Sequence, residues 1–307
     1  MNAQPPAGYL RLSTAELEAR SHALRELLNP CVLCPRECQV ERLNHRRGEC
    51  GGGRLAKVSS HNLHFGEEPC LVAQGGSGTI FLGGCNLHCL FCQNYPISQL
   101  RHGVEVEPAR LASMMLSLQH EGAENINFVT PTHYTAQLVA ALILAREMGL
   151  RLPLVWNSGG YERLEVIRLL DGIVDIYLPD AKYSDDALAL RLSDAEGYSA
   201  ANRAVITEMW RQVGPLQLNE RGAARRGLLV RHLVLPGQLE NTRGVLEFLA
   251  GLDEHRRVAV SVMAQYFPAY RAVQDEALNR RLTREEWKQV SAWVHELGLT
   301  EGYLQQR

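Results

Sequence analysis

From Gly78 onward, short and almost wholly apolar runs alternate with longer stretches of helical periodicity. The runs are "TIFLGG" (79–84), "NINFVTP" (125–131), "LPLVWNSG" (152–159), "IVDIYLPD" (173–180), "LLVRHLVLPG" (228–237) and "VAVSVMAQY" (258–266). Runs apolar on both faces read as parallel strands covered on both sides. The stretches between them, such as "PARLASMMLSLQHEGA", "TAQLVAALILAREMGL" and "GVLEFLAGLDEH", read as helices. Six strand–helix repeats in this order predict an α/β fold, a partial (β/α)6 TIM-like barrel in preference to a doubly wound sheet. Each run ends in polar or glycine-rich residues, among them Gly83-Gly84-Cys85, Thr130-Pro131-Thr132-His133, Asn157-Ser158-Gly159-Gly160 and Asp180-Ala181-Lys182. In such barrels the carboxyl ends of the strands carry the chemistry, so these residues are expected on one rim.

Before the repeats, "STAE" forms a capping box of Ser13 and Glu16 that opens a helix to Leu28, with Leu17, Leu24, Leu27 and Leu28 on one side. Residues 31 to about 70 read as loop-rich and hold five of the eight cysteines. A last helix begins at the capping box Thr283–Glu286 and is expected to bury Trp287, Val290, Val294 and Leu297. The chain thus divides into an N-terminal helix with a Cys-rich segment (1–70), the barrel (71–275) and a C-terminal helix packed on it (276–307).

The chain of 307 residues, 46% hydrophobic and 21% charged, is long enough for one large core. Its formal charge of -2 gives no basic field for nucleic acid, and arginine clusters such as "NHRRGECGGGR" and "ERGAARRG" read as solvated loops. The start lacks a signal-peptide pattern, and no apolar run approaches the ~20 residues that span a bilayer. A cytoplasmic protein is expected, with no membrane partner; there thiols stay reduced, so clustered cysteines favour metal over disulfides.

Two cysteine sets carry the candidate chemistry. "GGCNLHCLFCQN" places Cys85, Cys89 and Cys92 behind a glycine pair. Three thiolates on one tight loop can hold a metal centre with one coordination position open, whereas a structural zinc site closes with four. "CVLCPRECQVERLNHRRGEC" places Cys31, Cys34, Cys38 and Cys50 together. Four soft ligands suit tetrahedral zinc or a [4Fe–4S] cluster, in a site without an open position. His45 and His61 lie near enough in sequence to replace a ligand, and Cys70 reads as a buried thiol.

From Gly78 to about Tyr266 the chain resembles the radical S-adenosylmethionine (SAM) superfamily. Within it the sequence is similar to uncharacterised iron–sulfur proteins related to pyruvate formate-lyase activating enzyme. The stretches that carry the resemblance are "CVLCPREC", "GSGTIFLGGCNLHCLFCQNYPIS", "NINFVTPTHY", "WNSGGYE", "VDIYLPDAKY" and "LVRHLVLPG". The resemblance implies an oxidoreductase in which Cys85, Cys89 and Cys92, with Phe91 just before the third cysteine, hold a [4Fe–4S] cluster. The cluster's free iron binds SAM, and one electron cleaves SAM to a 5′-deoxyadenosyl radical that abstracts hydrogen. A "GGE" segment after the second strand binds the SAM amino group in the family; "VTPTHY" stands there, so Thr130, Thr132 and His133 are expected to substitute. Asn157 and Ser158 match a segment near SAM and a monovalent cation, although activating enzymes carry an acidic residue at the place of Asn157. Asp180 and Lys182 match a "DLK" segment, with Lys182 expected on the SAM carboxylate. Arg231 is expected near the carboxylate or ribose, and Gln265 near the adenosine. The resemblance also implies a one-electron reductant such as a flavodoxin or ferredoxin, and a protein or peptide substrate in the manner of glycyl-radical activating enzymes. A small-molecule substrate, or a metal-binding scaffold without catalysis, are the alternatives.

Overall fold

The six apolar runs form six parallel strands, for the reason the pattern gave: each is covered by helices outside and by packed side chains inside. In the computed structural model, which describes residues 6–305, the strands are β1 Ala56–His64, β2 Ser77–Leu82, β3 Val104–Val106, β4 Ile126–Val129, β5 Leu154–Ser158, β6 Ile176–Pro179, β7 Gln217–Leu218, β8 Ala224–Leu233, β9 Ala259–Met263 and β10 Gly302–Gln305. They form one sheet in the order β10-β9-β8-β6-β5-β4-β2-β1-β3, with β7 paired to β8. From β2 through β10 the main path is parallel. The expected partial barrel is therefore present, extended by β10 at one edge and by antiparallel β1 and β3 at the other.

The helices are α1 Thr14–Glu26, α2 Pro69–Val72, α3 Tyr95–Ser98, α4 Pro108–His120, α5 Thr135–Glu147, α6 Leu164–Leu169, α7 Asp186–Ser193, α8 Tyr198–Val213, α9 Leu239–Gly251 and α10 Arg284–Glu296. Ser13 caps α1 and Thr283 caps α10, each through the reciprocal bonds of a capping box. Leu17 and Leu24 of α1 enter the same apolar core as Phe128, Trp156 and Leu228 of the barrel. On α10, Val290 and Val294 are buried as expected, but Trp293 replaces Trp287 as the buried tryptophan. Arg243 stacks on it, its guanidinium carbon 5.5 Å from the ring centroid. Residues 1–5 and 306–307, at the ends of the segments 1–70 and 276–307, lie outside the described residues.

Two differences from the sequence reading matter for the site. The loop-rich stretch before residue 70 contains the nine-residue strand β1, hydrogen-bonded to β2 across the expected boundary at residue 70. After it, α2 turns into the barrel. Cys70 and Leu71 pack there against Val155, Ile176, Leu178 and Leu229, inward-facing residues of β5, β6 and β8. The barrel floor is thus closed by a plug from outside the strand–helix repeats. Leu71 is fully buried, so Leu71→Ala is expected to cost about 3 kcal/mol. The check is a drop in the urea unfolding midpoint, with an unchanged far-ultraviolet circular dichroism spectrum before the transition.

Candidate functional site

At the carboxyl ends of β4, β5, β6, β8 and β9 lies a cavity of about 240 Å³, roofed by the loop that follows β2. Gly83 and Gly84 begin this loop. Gly84 holds φ +91° with its Cα against the carbonyl oxygen of Cys50, a seat with no room for a Cβ. The loop then places Cys85, Cys89 and Cys92 on the cavity wall.

Each of the three sulfurs meets a hydrogen-bond partner already in place. The backbone N–H of Leu87 donates to Cys85 Sγ at 3.3 Å, and the Ser193 hydroxyl to Cys89 Sγ at 2.9 Å. Cys92 Sγ lies 3.0 Å from Ser98 Oγ. Tyr183 OH is 2.5 Å from Ser193 Oγ, which extends the chain of bonds behind Cys89. Burial pushes the thiols of Cys85 and Cys89 up, that of Cys89 to about 11, and the neighbouring sulfurs add to the shift. Three neighbouring sulfurs supplied with donors, Cys89 buried and Cys85 and Cys92 half-buried, fit a cationic iron–sulfur centre, which takes them as thiolates and draws hydrogen bonds to its sulfurs. Among the described residues no three His, Cys, Asp or Glu side chains stand at the spacing of a single ligated ion; a cluster instead presents a separate iron to each thiolate.

Opposite the cysteines, the strand ends carry a connected set of charges. Lys182 Nζ donates to Asp180 Oδ2 at 2.5 Å, and Arg231 Nε donates to Asp180 Oδ1 at 3.0 Å. Arg231 Nη2 donates to Asn157 Oδ1 at 2.6 Å, and Nη1 lies 3.7 Å from Glu67 Oε2 beside the plug. Burial would raise Asp180, but Lys182 and Arg231 outweigh it and hold the carboxyl below its usual range. Burial likewise works against the charge on Lys182, and Asp180 with Cys89 overcomes it. Two cations, Lys182 and Arg231, thus face the cavity against one carboxylate, Asp180, on its wall, with Glu67 beside the plug behind Arg231.

Eleven of the rim residues expected from the sequence line this one cavity: the three cysteines, Phe91, Thr130, Asn157, Ser158, Asp180, Lys182, Arg231 and Gln265. Phe91 also packs on Tyr266, ring centroids 6.2 Å apart. Thr130 holds φ +61°, a strained setting for a β-branched residue that turns its peptide toward β5, where its N–H meets Asn157 O. Gln265 is exposed and donates to Gln305 of β10.

Thr132 and His133 depart from expectation. Both are buried and turned away from the cavity. Thr132 Oγ1 donates to Glu162 Oε1 at 3.1 Å, and Glu162 also accepts from Trp156 Nε1 at 2.8 Å and Ser158 Oγ at 2.7 Å. His133 Nε2 reaches Gly83 O at 3.0 Å, so it braces the glycine turn behind Cys85. The 3-10 turn Thr132–Tyr134 after β4 sets these directions, and a linear motif does not show them. Residues the sequence reading missed are Ser98 and Ser193 at the sulfurs and Glu67 at Arg231. Ser98 follows the motif closely enough to have been suspected; the other two come from distant segments.

The second set, Cys31, Cys34, Cys38 and Cys50, gathers on the other side of the same loop. Cys34 and Cys50 are buried, and burial with the neighbouring sulfurs raises the Cys34 thiol to about 12. Arg36, between two of these cysteines, donates through Nε to Asn86 O at 2.5 Å and through Nη2 to Asp194 O at 2.5 Å. The Cys-rich segment therefore grips the loop of Cys85 directly. His45 is exposed, and His61 sits on β1.

Burial drives His133 down to about 3 and His232 down to about 4, from 6.5. Both are neutral in the folded chain near pH 5, while the unfolded chain binds a proton at each. Stability is therefore expected to fall as pH drops below 6.5, by about 2 kcal/mol per histidine at pH 5. His133→Gln, which keeps a donor for Gly83, is expected to flatten this fall by its share; thermal melts at pH 7 and pH 5 check it.

Comparison with known proteins adds the following. The family model of the Radical SAM superfamily matches residues 79–249. The uncharacterized protein MJ0674 of Methanocaldococcus jannaschii is 32% identical over 281 residues, covering 88% of this chain and 75% of the relative. MJ0808 of the same organism is 24% identical over 163 residues, 46% of each chain. Among solved structures, Streptococcus suis SuiB aligns with a TM-score of 0.47 at 12% identity, over 72% of this chain and 47% of that one. Native anSMEcpe with bound AdoMet aligns with a TM-score of 0.45 at 12% identity, over 73% of this chain and 61% of that one. The chain thus spans about half to three fifths of the length of these two solved chains.

Proposed function

The chain belongs to the radical SAM superfamily, and from that premise we propose that it takes hydrogen from a protein or peptide segment presented at the mouth of its barrel, as glycyl-radical activating enzymes do. The observation that carries the reading is the facing of three hydrogen-bonded cysteine sulfurs and a charged strand-end set across one cavity. When bound to Cys85, Cys89 and Cys92, a [4Fe–4S] cluster with an open iron supplies reductive cleavage of SAM and a radical able to take hydrogen. The protein's own residues bind, orient and exclude water. Lys182 keeps N–H donors beyond the one given to Asp180 and would hold the SAM carboxylate, with Arg231 behind it. Asp180, held ionised by both cations, would accept from the amino group that the missing "GGE" serves elsewhere in the family. Phe91, fixed against Tyr266, and Leu87 wall the site from water.

The size of the cavity supports a substrate from outside. Ligand pockets run from about 300 Å³ upward, and a cavity of about 240 Å³ leaves no enclosed room for a substrate beside the cofactors. A substrate is then met at the mouth, where Leu100, Phe267 and Val273 stand exposed on segments flanking the cysteine loop. A low-potential one-electron donor of the flavodoxin or ferredoxin class completes the reaction.

Anaerobic reconstitution with iron and sulfide, then dithionite and SAM, is expected to give 5′-deoxyadenosine from the wild type and none from Cys89→Ala. A wild type that binds iron and makes none would overturn the assignment. Deuterium appearing in 5′-deoxyadenosine from a labelled small metabolite, with no polypeptide substrate present, would move the proposal to small molecules. Lys182→Met is expected to weaken SAM binding roughly tenfold to a hundredfold, the worth of a charge-assisted hydrogen bond. Ser193→Ala removes a hydrogen bond from Cys89 and is expected to lower the cluster's midpoint potential by on the order of 40 mV, read by redox titration.

A further inference from the structure

One buried cation has no use in the site described above. Arg42 stands in the short 3-10 turn Arg42–Asn44 and is wholly buried. Its Nε and Nη2 donate to Gly53 O at 3.2 and 2.9 Å, and Nη1 faces Cys31 Sγ at 3.9 Å. The guanidinium also lies over the Tyr134 ring, 5.8 Å from its centroid. Among the described residues no carboxylate pairs with it. Arginine keeps its charge at every accessible pH and is almost never fully buried unless paired, because an uncompensated charge in the interior is strongly destabilising. Something at this place has to carry negative charge.

The four cysteines surround that place. A Cβ built on Gly48 would lie 3.0 Å from Cys38 Sγ and 3.7 Å from Cys50 Sγ, so these two sulfurs flank one glycine. The backbone N–H of Gly52 donates to Cys50 Sγ at 3.3 Å. Between the second and fourth cysteines the chain is folded back sharply. Glu37 and Gln39, neither of them glycine, hold φ of +38° and +56°, and Gln39 N–H returns to Cys31 O at 3.1 Å. Local strain of this kind persists only where the surroundings over-determine it.

We propose that Cys31, Cys34, Cys38 and Cys50 hold an iron–sulfur cluster, one thiolate to each iron, and that Arg42 is its buried counter-charge; among the described residues the spacing of a single ligated ion is not met here either. On binding, the four thiols release their protons to solvent. A [4Fe–4S] core of charge 2+ then leaves a dianion inside four thiolates. The guanidinium against Cys31 and the N–H of Gly52 against Cys50 offset that charge, and the dianion in turn supplies what the guanidinium lacks. With all four positions filled the centre is closed, so its work is to order the segment that Arg36 ties to the Cys85 loop. The inference stands apart from the radical chemistry, since it uses none of the cavity residues.

The test removes the other site. The triple variant Cys85→Ser/Cys89→Ser/Cys92→Ser, purified anaerobically, is analysed for zinc, iron and acid-labile sulfide, and then offered zinc alone or iron with sulfide. About four irons with matching sulfide per chain are expected, and one zinc with no iron overturns the cluster. A chain that retains neither overturns the proposal, and so does metal that survives further replacement by Cys34→Ser and Cys38→Ser. Chelator titration tests the counter-charge. Arg42→Gln keeps a donor for Gly53 without the charge and is expected to release metal at a tenfold or more lower chelator concentration. Arg42→Lys keeps the charge and is expected to stay within about threefold of the wild type. Equal retention by Arg42→Gln and the wild type overturns the counter-charge. The metal content of the triple variant decides the site whatever these substitutions do to folding.

Discussion

The guanidinium of Arg231 is where the barrel's inner architecture meets. It joins the ends of three neighbouring strands, with Asp180 of the β6 end, Asn157 of β5 and its own β8, and it reaches Glu67 beside the plug. The backbone repeats the junction, since the N–H of Ala181 donates to Arg231 O at 2.8 Å. A cation at this depth is retained only with good geometry and full pairing, and each partner meets that condition from a different segment. The arrangement fixes how far apart the strand ends stand, and with them the distance across which Lys182 faces the cysteines. It is a constraint on the mouth of the barrel more than a source of stability, because burial of the charges offsets most of their attraction.

Much of this was legible in the chain before its structure. The parallel strands announced themselves because a strand covered on both faces has no reason to carry polar residues except at its end. The cysteine loop was equally plain, as its three donors are local in sequence. The plug was not. "SSHNLHFGEEPCLV" mixes polar and apolar residues, and Glu67 and Glu68 look like a solvated acidic pair. Glu68 is buried with Ser261 and Gln305 closed around it, and half-buried Glu67 turns its carboxylate to Arg231, far along the chain. Thr132 and His133 failed for a related reason. A motif gives which residues follow a strand, while the 3-10 turn decides which way they face, and here it sends both inward to Glu162 and Gly83.

The sulfurs of the two cysteine sets sit in contrasting surroundings. Those of Cys85, Cys89 and Cys92 have hydroxyl and amide donors on one side and an open cavity on the other. Those of the N-terminal set are folded around by their own segment and set against a buried guanidinium. The first environment leaves room for a ligand to arrive; the second does not. Ser193 belongs to this contrast, because it comes from the end of α7 and carries Tyr183 behind it, so the electronics at Cys89 depend on a helix outside the motif.

Gly84 bears a final consequence. Its Cα is pressed on the carbonyl of Cys50 while Arg36 grips Asn86 two residues further on. The two cysteine loops are thus cast against each other like the halves of a mould. A change at this seam therefore reaches both loops. A side chain acquired at position 84 would displace the fourth cysteine of the N-terminal set along with the turn that presents Cys85. A single position that carries no ligand is in this way felt by both cysteine sets at once.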